Sequence, residues 1–472
     1  MRRLHGATML VEAIEFLRRF LFTVIVVLAA GSRREGMGEI VIAGVGALTV
    51  AVSVFRYATT RYGFEGAAFV VTSGLVWKQN RTIPLARIQN VNVQRNVLHR
   101  ILGVSQVDIQ TASGSAAEAS LKVLSEADAQ ELKHALLGQT PGPAFEVRET
   151  PPSLFQVELR DLMLAGAFQN RSLYLVFAVL GLMQGPELMG FVRRASGPAT
   201  HLARSLGVGA LVLAGFLLLL VGWFLAIAGT VTKYYGFHIA RHEKGLKVGF
   251  GLLTQIEHVI PLRRVQYVRV VQPWLYRLLG LCEMDVATAG SFGKEEGGGT
   301  TKLAPVVREE NAGRLGRHVF ADLPLGEVEW SGVSPLTIRR GFLAIFWPCL
   351  LGTGLLARTL GPWMGALLPV FLALGWIYAR KRHAALGYAI RERFLCVRGG
   401  VLKRSIVFIP LERVQYVEAG SSPFQRALGL ATLRVRTASS FATPDAVIPD
   451  LPAPVAHRLQ DEIVKGARVS GL

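Results

Sequence analysis

The chain has 472 residues, a formal net charge of +19 and an apolar content of 51%. Its apolar residues gather in long runs with almost no charge, which is not the pattern of a soluble protein. The basic excess therefore points to a membrane before it points to nucleic acid. The three cysteines form no C-x-x-C pair, which argues against a disulfide framework or a zinc site.

Six apolar segments are predicted to span a membrane as helices, at residues 16–30, 40–55, 172–192, 206–231, 341–357 and 363–379. A span needs about 20 apolar residues to cross about 30 Å of hydrocarbon. Short turns join the segments in pairs, which predicts three helical hairpins, at residues 1–56, 155–233 and 336–383. Both ends of a hairpin lie on one side of the membrane, so all intervening segments should share that side. Flanking Arg and Lys residues favour the cytosol, although the turn at 190–205 is also basic.

The segments that follow the hairpins are copies of one unit, called repeats 1, 2 and 3, predicted at residues 57–140, 234–322 and 386–466. Their core motif reads IPLARIQNV at 83–91, IPLRRVQYV at 260–268 and IPLERVQYV at 409–417. An arginine follows 16 residues after each motif proline, then a Leu-Gly pair and a Thr-Ala pair. So many identities at one spacing predict one fold used three times.

Each repeat is predicted to consist mainly of β-strands and to end in an amphipathic helix. In repeat 1, residues 69–72 and 75–78 flank a turn at Gly74, and residues 97–102 form one helical turn. Residues 87–93 alternate, with Ile88 on one face and Val91 on the other. The closing helices are expected at 125–137, 309–320 and 454–464. The pattern favours a small, strongly bent sheet with one end covered by the helix.

The tyrosine–glycine opening, the IPL core, the Leu-Gly turn and the closing Thr-Ala resemble the bacterial pleckstrin-homology-like domain. Three such domains interleaved with helix pairs resemble the YdbT-like family of membrane proteins. The resemblance implies an α+β membrane protein with six transmembrane helices in three hairpins. These alternate with three pleckstrin-homology-like β domains, each a partial barrel with a C-terminal helix. It also implies links to envelope stress and to tolerance of membrane-active peptides.

Six repeated arginines are the candidate ligand-binding residues: Arg87, Arg100, Arg264, Arg277, Arg413 and Arg426. They could form a basic surface for lipid phosphates, where each cation near an anionic leaflet contributes about 1 kcal/mol. Alternatively, each pairs with a carbonyl or carboxylate inside its own domain, which repetition in three copies favours. Three repeated glutamines are expected to satisfy backbone groups, and three repeated glycines to supply a special backbone conformation: Gln89, Gln266, Gln415, Gly103, Gly280 and Gly429.

The sequence contains no H-E-x-x-H, no G-x-S-x-G and no repeated pair of carboxylates at motif spacing. We therefore expect a non-enzymatic, multi-pass protein of the bacterial cytoplasmic (inner) membrane, without cofactor, metal or nucleic-acid partner. Its cytosolic domains would dock membrane lipids, membrane protein partners or one another. The alternative is a component of a peptide or lipid export or permease system. A polar groove between the helix hairpins would favour export, and a dry interface between them would favour scaffolding.

Overall fold

The computed structural model describes residues 2–3, 44, 51, 54, 59–73, 79–111, 119–137, 153–168, 216–217, 219–243, 245–289, 300–326, 328–439 and 443–469. The predicted spans at 16–30 and 172–192 lie outside these residues, as do most of 40–55 and the beginning of 206–231. No helix within the described ranges combines the length and the apolarity that a membrane crossing requires. The six crossings stay a prediction.

β1 (Arg2–Arg3) lies before the repeats. The elements of repeat 1 are β2 (Arg61–Glu65), β3 (Ala68–Ser73), β4 (Gln79–Pro84), β5 (Ile88–Arg95), α1 (Val97–Ile101), β6 (Val104–Thr111), β7 (Ala119–Ser125) and α2 (Glu126–Leu137). Then come β8 (Phe155–Gln156) and α3 (Leu159–Phe168). Repeat 2 has β9 (His238–His242), β10 (Gly245–Phe250), β11 (Gln255–Ile260), β12 (Val265–Pro273), α4 (Trp274–Leu278), β13 (Leu281–Thr288), β14 (Thr300–Arg308) and α5 (Glu309–Arg317).

The third hairpin follows as α6 (Leu336–Leu360) and α7 (Leu368–Ala385), joined by a 3-10 turn at Pro362–Leu367. Repeat 3 has β15 (Gly387–Arg391), β16 (Phe394–Gly399), β17 (Lys403–Pro410), β18 (Val414–Gly420), α8 (Pro423–Ala427), β19 (Leu430–Thr437), β20 (Ala446–Pro452) and α9 (Ala453–Val469). Short 3-10 turns at Leu85–Arg87, Leu262–Arg264 and Leu411–Arg413 follow the motif proline of each repeat.

Two compact units make up the chain. Unit 1 comprises Met1–Leu154, Phe237–Pro261 and Phe292–Lys294, and unit 2 comprises Phe155–Gly236, Leu262–Ser291 and Glu295–Leu472. In unit 1, β1-β2-β3-β4 form one sheet. A second sheet has the strand order β7-β6-β5-β11-β10-β9, in which β5 pairs with β11. In unit 2, β14-β13-β12 continue into β17-β16-β15, and β18-β19-β20 form a sheet of their own.

The strands of each repeat therefore fall into a first group of three and a second group of three. The second group of repeat 1 shares a sheet with the first group of repeat 2, and repeats 2 and 3 are joined in the same way. This differs from the single bent sheet per repeat that the sequence favoured. Alternation of apolar residues sets which face of a strand is buried, but it does not specify which strand pairs with its edge.

The core of repeat 1 lies between its strands and its closing helix. Phe69, Val107 and Ile109 are 0% exposed, and Leu124 and Leu132 pack into the same cluster. The predicted faces of residues 87–93 were wrong, because the pairing of β5 with β6 shifts register between Ile88 and Asn90. This bulge turns Ile88 and Val91 toward the same core.

The turn at Gly74 and the strand at 75–78 lie outside the described residues, whereas other local predictions are confirmed. The single helical turn is α1, and the three closing helices are α2, α5 and α9. The backbone of Asp128 donates to Ser125 Oγ at 3.1 Å, which caps α2. The glycines of the Leu-Gly pairs adopt φ of +63°, +62° and +64°, a left-handed conformation that favours glycine.

Candidate docking surface

Two junctions join successive repeats by antiparallel strand pairing. At junction 1, β5 of repeat 1 pairs with β11 of repeat 2; at junction 2, β12 of repeat 2 pairs with β17 of repeat 3. Both junctions use one register. The residue 11 positions after one motif proline pairs with the residue 6 positions before the next motif proline, as Arg95 does with Gln255 and Gln272 does with Arg404. The junction is therefore a repeated feature of the fold.

Two of the candidate arginines reach across the junctions. Arg100 donates to the carbonyl oxygen of Leu252 at 3.1 Å, and Arg277 donates to that of Val401 at 2.8 Å. Each arginine lies 16 residues after its motif proline, and each acceptor belongs to the following repeat. Arg426 occupies the same position in repeat 3, where its side chain is exposed and has no partner among the described residues.

The other three candidate arginines have different surroundings. Arg264 donates to the carbonyl oxygen of Ala289 in its own repeat at 2.6 Å, and burial lowers its pKa. The Nε of Arg413 lies 3.6 Å from a carboxylate oxygen of Glu412. The side chain of Arg87 lies outside the described part of the structure. Arg100, Arg264 and Arg277 therefore have a structural role, because each donates a hydrogen bond to a backbone carbonyl of this chain.

One tetrapeptide, VQYV, meets two different environments. In repeat 2 it occupies residues 265–268, where Tyr267 is 2% exposed and packs into the core of repeat 3. In repeat 3 it occupies residues 414–417, where Tyr416 is 53% exposed. Burial raises the pKa of Tyr267 to about 12. The difference arises because β12 of repeat 2 pairs with β17 of repeat 3, whereas β18 is the outer strand of its sheet among the described strands.

The repeated glutamines, like the tyrosines, are buried in repeat 2 and exposed in repeat 3. Gln266 is 4% exposed; its amide donates to the carbonyl of Arg264 at 3.0 Å and accepts from the backbone of Ala438 at 3.3 Å. The expected role in satisfying backbone groups is confirmed for Gln266. The side chain of Gln415 is exposed, and that of Gln89 is not described. Each glutamine lies at the register shift that produces the bulge.

A family model described as a bacterial PH domain matches residues 13–140, 198–322 and 342–467. The chain belongs to the bacterial PH domain family. Each match begins within a predicted hairpin and ends near the close of a PH repeat. The resemblance of all three repeats to one domain is thus confirmed.

Two relatives from Bacillus subtilis (strain 168) are similar to the chain. The UPF0699 transmembrane protein YdbT is 22% identical over 436 residues, which cover 85% of this chain and 84% of the relative. The UPF0699 transmembrane protein YdbS is 30% identical over 107 residues, which cover 23% of this chain and 62% of the relative. No solved structure matches. Both relatives are named as transmembrane proteins, which agrees with the membrane character of this PH-domain chain.

PH repeat 3 presents an uncovered version of the junction surface, which we call the open edge. It consists of β18, Tyr416, Phe424 and Arg426. Phe424 is 80% exposed, whereas Leu275 at the equivalent position of repeat 2 is only partly exposed. Sequence reasoning missed this surface. Strand pairing through backbone groups leaves no side-chain signal in the sequence that would have indicated it.

The entry helices of the hairpins are fastened to the PH repeats by ion pairs. In α6, Arg340 Nε donates to Asp450 at 3.0 Å, and the Asp450 carboxylate also accepts from Gln425 at 2.7 Å. In α3, Asp161 lies 3.4 Å from Arg308 of repeat 2. Each pair joins a hairpin helix to the last strand of the repeat that follows it, so the helices and the repeats form continuous structures.

Proposed function

We propose that this chain is a non-enzymatic docking platform of the bacterial inner membrane, with its PH repeats on the cytosolic side. Three observations support the proposal: membership of the bacterial PH domain family, two relatives named transmembrane proteins, and basic residues that flank the predicted hairpins. Its physiological setting, by the resemblance, would be envelope stress or tolerance of membrane-active peptides.

The open edge of repeat 3 carries the proposal. The surface that repeat 2 uses to bind its neighbour buries Tyr267 to 2% exposure, whereas Tyr416 of the same tetrapeptide is 53% exposed. An exposed strand edge offers a row of backbone donors and acceptors to another strand. Beside this edge lie an aromatic side chain and a guanidinium, residue types that anchor protein interfaces. The surface is therefore suited to docking by strand addition.

Tethering makes weak docking effective. A domain held at the membrane by its own helices has a high effective concentration near other membrane-bound molecules. The third hairpin exposes large apolar side chains on its outer surface, with Leu351 at 72%, Trp347 at 58% and Trp363 at 66% exposure. Such an apolar surface is favoured in contact with lipid tails or with another apolar surface.

Helices pack closely within two of the predicted hairpins. Gly375 of α7 packs closely against Ile345 of α6: a Cβ added to Gly375 would lie 3.0 Å from Cγ2 of Ile345. Gly166 of α3 lies against Ile227, where an added Cβ would approach the Cα to 2.8 Å. Small residues allow helices to pack closely.

The proposal is tested by placing a photo-crosslinking phenylalanine analogue at residue 416 of the full chain in growing cells. We expect a discrete crosslinked product that contains this chain and a bound molecule. The matched control is residue 267, the same tyrosine in the same tetrapeptide, which should form no intermolecular product. Absence of any product at residue 416, with full expression, would refute docking at the open edge. A crosslink to phospholipid would contradict protein docking and identify lipid as the bound molecule.

A further inference from the structure

We propose that the open edge of repeat 3 binds β4 of repeat 1 in a second copy of this chain, which gives a head-to-tail assembly. The inference rests on the proposed docking role and names its partner. Its basis is that the two junctions within the chain are equivalent. Among the described strands, one strand of each of the two kinds that form a junction has no such partner. β18 is the unused counterpart of β5 and β12, and β4 is the unused counterpart of β11 and β17.

The two unused strands lie at sheet edges. β18 is the outer strand of the β18-β19-β20 sheet, and β4 is the outer strand of the β1-β2-β3-β4 sheet. Residues 79–82 of β4 are all exposed, whereas β17 is buried along its second half. The exposure differs because β17 is paired on both sides within the chain.

The shared register of junctions 1 and 2 specifies the new pairing residue by residue. The residue 9 positions after the motif proline pairs with the residue 4 positions before the next one: Val93 with Glu257, and Val270 with Ile406. Applied to the unused strands, this register places Ala419 opposite Asn80 and Gly420 opposite Gln79.

Extending the pairing by one residue places Glu418 opposite Arg81. The equivalent pair is present at junction 2, where Arg269 lies opposite Val407. Opposite charges that face each other across an antiparallel pair stabilise it. The side chain of Glu418 is 39% exposed and lies 3.7 Å from that of Arg434 on the neighbouring strand β19, and the side chain of Arg81 is exposed. The two edges are therefore complementary in charge at the position that the register selects.

The exposed groups beside β18 fit the same contact. At junctions 1 and 2, the arginine 16 residues after the motif proline donates to a carbonyl of the next repeat. Arg426 offers that donor group at the open edge. Gln460 donates to the carbonyl oxygen of Val417 at 3.1 Å. Val268, the equivalent of Val417 in repeat 2, is the first residue paired at junction 2, so the proposed pairing begins one residue later, at Glu418. The contact is heterologous, so it closes into a ring or extends along the membrane.

The first experiment reverses the two charges in the full chain, purified in detergent, and measures its oligomeric mass against concentration. Glu418→Arg and Arg81→Glu should each weaken self-association by roughly tenfold, since an attractive pair becomes repulsive. The combined variant should recover most of the affinity. Glu412→Arg is the matched control, because Glu412 is equally exposed but precedes β18. Failure of the combined variant to recover association would overturn the pairing.

The second experiment forms a disulfide between copies. One copy carries Ala419→Cys with one tag, and the other carries Asn80→Cys with a second tag; oxidation in native membranes should yield a mixed dimer. The Val93→Cys and Glu257→Cys pair within one chain reports that the register permits a disulfide. Absence of mixed dimers alongside a positive internal control would refute self-docking.

The outcomes separate this inference from the docking role itself. If residue 416 crosslinks to a different protein and the mixed dimer is absent, the open edge is a docking surface and self-association is wrong. If residue 416 crosslinks to this chain but charge reversal at Glu418 has no effect, the register is wrong. If residue 416 crosslinks to nothing, both proposals fail.

Discussion

Replacement of Asp450 tests whether an ion pair fastens the third hairpin to repeat 3. The Asp450 side chain is 0% exposed and lies 2.9 Å from an outer guanidinium nitrogen of Arg340, which is 33% exposed. It also accepts from Gln425, which is 4% exposed, at 2.7 Å. The carboxylate thus connects α6 to α8 and β20 through buried hydrogen bonds.

The two obvious substitutions should differ in magnitude. Asp450→Ala leaves a partly buried guanidinium and a buried amide without their acceptor, which should cost about 3–5 kcal/mol in free energy of unfolding. Asp450→Asn keeps an oxygen acceptor and tolerates the backbone φ of +55° at this position. Its amide nitrogen replaces one of the two carboxylate oxygens that accept from Gln425 and Arg340, so the variant loses the charge and one hydrogen bond, which should cost about 2 kcal/mol.

The measurement is thermal unfolding of the full chain in detergent, with Asp461→Asn as the control on the exposed side of α9. At about 2–4 °C per kcal/mol, Asp450→Asn should lower the Tm by about 4–8 °C, and Asp450→Ala by about twice as much. Arg340→Ala should be strongly destabilising as well, and the double variant should cost less than the sum. Unchanged Tm values, or strict additivity, would show that the pair does not fasten the hairpin.

Three further predictions concern burial, protonation and topology. Tyr267→Ala should lower the free energy of unfolding by about 3–5 kcal/mol in denaturant titrations, and Tyr416→Ala by about 0.5 kcal/mol; equal losses would contradict the junction. Burial lowers the pKa of His258 from 6.5 to about 4. As the pH falls, this histidine therefore becomes protonated in the unfolded chain before it does so in the folded chain. Stability should therefore fall by about 3 kcal/mol as pH drops from about 6.5 to 4; His258→Gln should remove that component, and an unchanged pH profile would disprove it. Protease added to sealed, right-side-out cells should leave residues 62–137 intact, and cleavage there would reverse the proposed topology.

Much of each repeat could be predicted because its determinants are local. The Leu-Gly glycines require a left-handed backbone, and the sequence places them at one spacing in all three copies. The strand at Val107 and Ile109 and the closing helices follow from apolar periodicity. The bulge beside Ile88 could not be predicted from alternation, since one extra residue reverses the face of every later side chain.

The candidate arginines show where sequence reasoning stopped. Their repetition indicated a structural role, but not that Arg100 and Arg277 bind carbonyls of the following repeat. The partner of a backbone-directed side chain carries no side-chain signature, because any residue can supply a carbonyl. Asp450 was missed for a related reason: nothing in its local sequence distinguishes a fully buried carboxylate from an exposed one.

The three repeats and their local elements follow from the amino-acid sequence, which also predicts apolar helix pairs between them. The folded structure shows in addition that successive repeats share sheets, and hence that Tyr267 is buried while Tyr416 is exposed. Strand edges pair through backbone groups that all residues possess. The sequence therefore predicts where strands form, whereas the bulges that set their faces and the identity of the neighbouring strand are seen only in the folded chain.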